Sequence, residues 1–168
     1  MKKAVWSGLL AVASVFVLST PAMAQTNTAN ASINVSVSVS ARAKLTLGTS
    51  AINWTDQDPD SVATLTSGAF NVDVKARTSQ GSTVSLTVKA NGDLTAGGGA
   101  TIAISNLTWA GTGDVAATGT SNATTAQTVM SFSNSGQKTG TQNYSMPNSW
   151  TYATGNYTAA LNYTLTAP

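Results

Sequence analysis

The sequence predicts an all-β protein, folded as a single β-sandwich of about eight or nine strands with immunoglobulin-like or jelly-roll topology. Apolar residues, many of them β-branched, alternate with polar residues along much of the chain, which is typical of strands that bury one face. Glycine and asparagine separate these alternating runs. No stretch has the spacing of a long amphipathic helix. Together these observations favour a small sandwich over a helical or mixed fold.

The first element is a predicted secretory signal peptide. Lys2 and Lys3 precede an apolar stretch, and Ala22-Met23-Ala24 has the small residues that signal peptidase prefers. The apolar stretch is shorter than the ~20 residues of a membrane span, which argues against the alternative of an uncleaved anchor. We therefore expect an exported protein in the periplasm, at the cell surface or outside the cell, with no membrane span after processing. The predicted divisions are a signal peptide, a flexible N-terminus and one sandwich domain, at residues 1–24, 25–31 and 32–168.

The longest alternating run extends from Ile33 to Leu47 and keeps one parity throughout. At ~3.3 Å per residue such a run would reach roughly 50 Å, well beyond the usual length of a strand. It must therefore either cross between two sheets or extend outside the domain. Arg42 and Lys44 mark the expected break.

The first part of this run could complete the sheet of a neighbouring subunit, with main-chain hydrogen bonds for affinity and alternate side chains for register. Because such a head-to-tail contact does not close, it would build a filament. The predicted partner-strand residues are Ile33, Val35, Val37 and Val39. The alternative is that residues 32–47 form the first one or two strands of their own domain.

A turn with three aspartates follows the next short apolar strand. Oxygen ligands at alternate positions begin extracellular calcium loops, so Asp56, Asp58 and Asp60 are a candidate calcium site. Ser61 and Ser67 stand where an EF-hand loop has its glycine and its bidentate glutamate. Ordinary turn chemistry is therefore the alternative interpretation, and no other cofactor is expected.

The next two alternating runs, 70–76 and 84–90, are predicted to pair as an antiparallel hairpin around the polar stretch 78–82. The residues predicted to share a core are Val72, Val74, Leu86 and Val88. The residues predicted to face water are Asp73, Lys75, Thr87 and Lys89. Later strands are predicted within 102–109, 129–132, 139–146 and 157–165.

Aromatic residues offer a second candidate binding surface. Trp150 and Tyr152 lie in a loop-like stretch after Pro147, where aromatic faces on a neutral polar surface could stack on sugars. Core packing is the alternative for both residues. Trp54 and Trp109 stand at the ends of apolar strands, and we expect them to be buried.

The composition excludes several classes of function. The chain has no His and no Cys, and all six acidic residues are Asp. The side chains that usually act as general base or thiol nucleophile are therefore missing, and we do not expect an enzyme. Two of the eight Lys and Arg residues lie in the predicted signal peptide, so the exported chain is formally neutral. This neutrality argues against nucleic acids and anionic membranes as partners.

Two short segments resemble known surface proteins. The ending GNYTAALNYTLTAP is similar to the terminal segment of cell-wall-associated WxL domains, with Tyr163-Thr164-Leu165 in place of Trp-x-Leu and Trp109 as an earlier counterpart. The segment ASINVSVSVSA is similar to the N-terminal donor segments of pilins that assemble by strand exchange. Either resemblance implies a structural or adhesive role at the cell surface.

We therefore expect an exported, non-enzymatic structural or adhesive subunit at the bacterial cell surface, which polymerises through its N-terminal strand. Its partners would be copies of itself or other surface proteins. The alternative is a monomeric secreted module that binds cell-wall or extracellular polysaccharide through Trp150 and Tyr152.

Overall fold

The computed structural model describes residues 31–168. The predicted signal peptide, and all but the last residue of the predicted flexible N-terminus, lie outside the described residues. Contacts divide the chain into two units, residues 1–37 and 38–168. Residues 31–41 are assigned to no strand or helix, and every strand of the described chain belongs to the second unit.

The second unit is built from eleven strands and one turn of 3₁₀ helix at Ile104–Asn106. The strands alternate inward apolar and outward polar residues, as their sequences predict. The strands are β1 Arg42–Leu47, β2 Thr64–Thr66, β3 Phe70–Arg77, β4 Thr83–Ala90, β5 Leu94–Thr95, β6 Thr101–Ile102, β7 Thr108–Gly113, β8 Thr118–Thr120, β9 Gln127–Ser133, β10 Gly136–Pro147 and β11 Leu161–Thr166.

These strands form an antiparallel β-sandwich. The larger sheet has six strands in the order β1-β3-β10-β7-β8, with β2 pairing with the end of β10. The smaller sheet has three strands in the order β11-β4-β9, and β5 and β6 form a separate pair. The prediction of an all-β sandwich is therefore confirmed. Among residues 31–168, no helix is long and apolar enough to cross a membrane.

The prediction that β3 and β4 pair as a hairpin is wrong, but the prediction of which side chains of each strand face the core is confirmed. β3 pairs with β1 and β10, whereas β4 pairs with β11 and β9, so the two strands belong to different sheets. The loop at 78–82 is long enough to cross the ~10 Å between packed sheets. Their apolar faces therefore cover each other across the core, where Val72, Val74, Leu86 and Val88 are all buried.

Tyr144 of β10 occupies the centre of this core and is fully buried. Its ring stacks on Phe70 at a centroid distance of 6.3 Å and forms an edge-to-face pair with Trp109 at a centroid distance of 6.1 Å. Trp109 is buried, as predicted, and Trp54 is partly buried. Gly119 packs so closely on Trp109 that a Cβ atom there would lie 1.9 Å from the indole. Trp109 thus requires a glycine on the neighbouring strand β8.

The burial pattern predicts a clear difference between the two faces of β4. Truncating Leu86 to Ala should lower the free energy of unfolding by about 2–5 kcal/mol, because it opens a cavity between the sheets. Replacing the exposed Lys89 on the same strand by Ala should change it by no more than about 0.5 kcal/mol. Denaturant unfolding of both variants measures this difference. Equal effects would show that the inward register of β4 is incorrect.

Candidate functional site

The first candidate site is the stretch Ile33–Val39, called here the N-terminal segment. Its four apolar side chains are strongly exposed: Ile33 by 90%, Val35 by 89%, Val37 by 84% and Val39 by 62%. The strand begins only at Arg42, so the fifteen-residue alternation does not form one continuous strand. The predicted break at Arg42 and Lys44 is placed too late, since both residues lie within β1. Four large apolar side chains exposed at strand spacing are typical of an interaction site.

The edges of the two main sheets are protected unequally. Edge strands leave backbone groups open to other chains, and short length, bulges and charged side chains are the usual protection. β8 has three residues, and β9 carries a bulge at Val129 in its pairing with β4. β1 carries the exposed Arg42 and Lys44. In contrast, β11 has six residues, a regular register with β4 and no charged residue. β11 is thus the least protected of the four edges.

The side of the sandwich formed by β1 and β11 is incompletely covered. These two strands lie near each other across the core, at corresponding edges of the two sheets. Their inward apolar residues pack against the core but stay half-exposed, whereas those of β3 and β4 are buried. The half-buried residues are Leu45, Leu47, Leu161, Tyr163 and Leu165. An additional strand on this side would complete their burial.

The backbone of β11 presents hydrogen-bonding groups to this open edge. Ala160 accepts a backbone hydrogen bond from Asn91 at 3.0 Å, at the end of the ladder with β4. Because hydrogen-bonding direction alternates along an antiparallel strand, the N–H and C=O groups of Leu161, Tyr163 and Leu165 point away from β4. Within residues 31–168, β4 is the one strand that pairs with β11. These three residues therefore offer a hydrogen-bonding edge.

A polar link holds β11 to the opposite sheet. The Tyr163 hydroxyl lies 2.7 Å from Oε1 of Gln142 and 2.8 Å from the Tyr144 hydroxyl. Because a carbonyl oxygen only accepts, Tyr163 donates to Gln142 and accepts from Tyr144. Tyr144 and Gln142 are buried residues of β10, so this link joins the two sheets through the core. It fixes the position of the open edge.

Burial keeps both tyrosines of this link neutral. Desolvation raises the pKa of Tyr163 to about 12, and the hydrogen bond that Tyr163 accepts from Tyr144 only partly opposes this shift. Desolvation also raises the pKa of Tyr144, with a further contribution from neighbouring Tyr163. In the unfolded chain both hydroxyls would ionise near the ordinary tyrosine pKa of about 10. The link is therefore intact at neutral pH and opposes ionisation in alkali.

Below pH ~10, ionisation of these two tyrosines should leave the free energy of unfolding unchanged. Above pH ~10 the unfolded chain loses protons that the folded protein keeps, so the free energy of unfolding should fall as the pH rises towards the folded pKa of Tyr163, about 12. Tyr163→Phe should reduce this alkaline loss. At neutral pH it should lower the free energy of unfolding by about 1–3 kcal/mol, because it leaves the buried groups on β10 without their partner. Denaturant unfolding at several pH values measures both effects.

Tyr157→Phe is the matched control, because the Tyr157 hydroxyl bonds only to the nearby carbonyl of Ala153. Its neutral-pH effect should stay within about 0.5 kcal/mol. If the two variants behaved alike at every pH, the link between the sheets would not contribute as described.

The second candidate site joins the aspartate turn to the loop that follows β10. Oδ1 of Asp58 accepts a hydrogen bond from the backbone N–H of Asp60 at 3.0 Å, which closes the turn. Oδ1 of Asp60 then accepts from Nε1 of Trp150 at 3.1 Å. The Asn148 side chain donates to the carbonyls of Gln57 and Val62, both at 3.0 Å. These bonds position the Trp150 indole, which is 70% exposed.

The residues predicted to bind calcium or sugar in this region differ in their placement. In the part of the chain that the structure describes, no three His, Cys, Asp or Glu side chains form a group that could hold a metal ion. Calcium binding by Asp56, Asp58 and Asp60 therefore stays a prediction without geometric support. Tyr152 is half-buried against the core, and its hydroxyl lies 3.4 Å from Nδ2 of Asn106. Of the two aromatic residues predicted to bind sugar, Trp150 presents the exposed face.

No protein-family model, curated protein or solved structure matches this chain. The similarities to WxL domains and to pilin donor segments stay predictions. Two features of the sites had no usable signal in the sequence: the link of Tyr163 to Tyr144 and Gln142, and the bond between Trp150 and Asp60. Both join residues that no local pattern relates.

Proposed function

We propose that the protein is an exported, non-enzymatic structural or adhesive subunit of the bacterial cell surface, which polymerises by inserting its N-terminal segment into a neighbouring copy. The observation that carries this proposal is the exposure of Ile33, Val35, Val37 and Val39 at the spacing of a strand. Burying each such side chain contributes about 1.5–3 kcal/mol. A contact that covers all four would therefore offset a large part of the entropy lost on association.

The proposed contact is a strand added to a sheet. Main-chain hydrogen bonds supply affinity in this mode, and alternate side chains enter the core and set the register. Each copy has one inserting segment and one receiving edge, so the contact is head-to-tail and does not close on itself. Repetition builds a filament of subunits.

Composition supports a structural role over a catalytic one. The six Asp residues are the only carboxylates in the sequence, and His and Cys are absent. The neutral exported chain, rich in Thr, Ser, Asn and Gly, forms a surface that hydrogen-bonds to water without attracting ions. Such a surface suits an extracellular subunit that must remain soluble before assembly.

Val37→Asp tests this proposal. The variant would bring an unpaired carboxylate into an apolar contact, at a cost of several kcal/mol, so assembly should be lost. The fold of residues 38–168 should be retained. Electron microscopy and analytical ultracentrifugation measure assembly, and circular dichroism measures folding.

Ser38→Asp is the matched control, since it adds the same charge at the neighbouring position of opposite parity. It should leave polymers largely intact. A wild-type protein that remains monomeric at all concentrations, or equal loss of assembly in both variants, would contradict insertion of the apolar face.

A second candidate function is supported by the exposed indole of Trp150, which Asp60 holds in place. Polysaccharide would stack on the indole face, while the amide and hydroxyl groups of this loop region supply hydrogen bonds. This is the function of a secreted carbohydrate-binding module. A binding module requires no assembly. The two proposed functions therefore differ in whether the purified protein forms polymers or stays monomeric.

If this second function holds, soluble cell-wall polysaccharide should change the tryptophan fluorescence of the protein. Trp150→Ala should abolish the change without lowering stability by more than about 0.5 kcal/mol, because the side chain is largely exposed. Trp150→Phe keeps an aromatic face and should retain part of the binding, as measured for both variants by titration calorimetry, because neither variant has the reporting indole. Titrations that show no response across a broad panel of glycans would exclude this module function.

A further inference from the structure

We propose that the site that receives the N-terminal segment is the outer edge of β11 in a second copy of this chain. This inference rests on the proposed polymerisation and adds the location and pairing of the contact. Residues Ile33–Val39 of one copy would form a new strand beside Leu161–Thr166 of the next.

The choice of β11 follows from the protection of the other edges. β8 is too short to pair with seven residues, and the bulge at Val129 interrupts the edge of β9. β1 carries Arg42 and Lys44, and charged side chains on an edge disfavour the addition of a strand. β11 and the N-terminal segment both lack charged residues, so neither would bring an unpaired charge into the contact.

The apolar faces of the two segments match. Leu161, Tyr163 and Leu165 are half-buried at the open side of the sandwich, beside the equally half-buried leucines of β1. The six residues of β11 extend about 20 Å, and the seven of the N-terminal segment about 23 Å, at ~3.3 Å per residue. The apolar side chains of the inserted strand would thus cover the residues of β11 that its own sheet leaves exposed.

The backbone groups also match. The N–H and C=O groups of Leu161, Tyr163 and Leu165 point to the open edge, as deduced from the bond between Ala160 and Asn91. The N-terminal segment contains no proline, so each of its residues can both donate and accept. Pairing would convert the three-stranded sheet into a four-stranded one.

The alternation of the new ladder identifies positions for cross-linking. Asn162, Thr164 and Thr166 direct their backbone groups to β4. If the added strand runs antiparallel to β11, they are non-hydrogen-bonded positions of the new pair, where Cα atoms lie about 4.5 Å apart. Their side chains are exposed, and Ser36 has the parity that would place it on the same outer face. A disulfide tolerates this Cα separation.

The experiment combines single-cysteine variants in pairs, and the natural chain has no cysteine to interfere. The donor variant is Ser36→Cys, and the receiving variants are Asn162→Cys, Thr164→Cys and Thr166→Cys, which sample three registers. Thr46→Cys on β1 and Ser131→Cys on β9 are exposed controls at two other edges. Each mixture is assembled, oxidised mildly and analysed by mass spectrometry, so every mixed disulfide joins two different molecules.

We expect a mixed disulfide of dimer mass with a β11 variant in one register, and its loss when the donor also carries Val37→Asp. Polymers seen by electron microscopy with cross-links to Thr46→Cys or Ser131→Cys instead would overturn β11 as the receiving edge and leave the proposed polymerisation standing. Polymers without a disulfide to any β11 variant would also overturn β11 as the receiving edge and leave the proposed polymerisation standing. An absence of both polymers and mixed disulfides would overturn the proposed function and this inference together.

Discussion

A strand at the edge of a sheet must leave half of its backbone hydrogen-bonding groups to water or to another chain, and this constraint governs the structure. The core lies between β3 and β4, whose inward residues are buried. Burial decreases towards β1 and β11, where the inward residues are half-exposed. Short length, a bulge and charged side chains protect three of the four edges. Among these four edges, β11 therefore combines an unprotected backbone with half-exposed apolar side chains.

Since the chain has no cysteine, noncovalent contacts alone hold β11 in place. Its ladder with β4 fixes it within the smaller sheet, and the hydroxyl of Tyr163 fixes it to Gln142 and Tyr144 of the larger sheet. Burial makes these hydrogen bonds stronger than they would be in water, and it penalises any loss of a partner. The edge is thus presented rigidly, which lowers the entropic cost of adding a strand.

Much of the fold could be predicted from the alternation of apolar residues, including the inward faces of β3 and β4. The assignment of strands to sheets could not, because two alternating runs joined by a short loop have the same pattern whether they pair as a hairpin or face each other across the core. The hydrogen bond between Asp60 and Trp150 could not be predicted either, because these residues lie 90 positions apart in the chain. Only the folded structure brings them together.

Amide hydrogen exchange on assembled protein, resolved by residue, tests the role of the β11 edge most directly. In the proposed polymers, the amides of Leu161, Tyr163 and Leu165 should exchange slowly, whereas in the Val37→Asp variant, which we expect to be monomeric, they should exchange rapidly. The amides of Asn162 and Thr164, which point to β4, should be protected in both and serve as internal reference. Rapid exchange at Leu161, Tyr163 and Leu165 in the polymer would contradict the account.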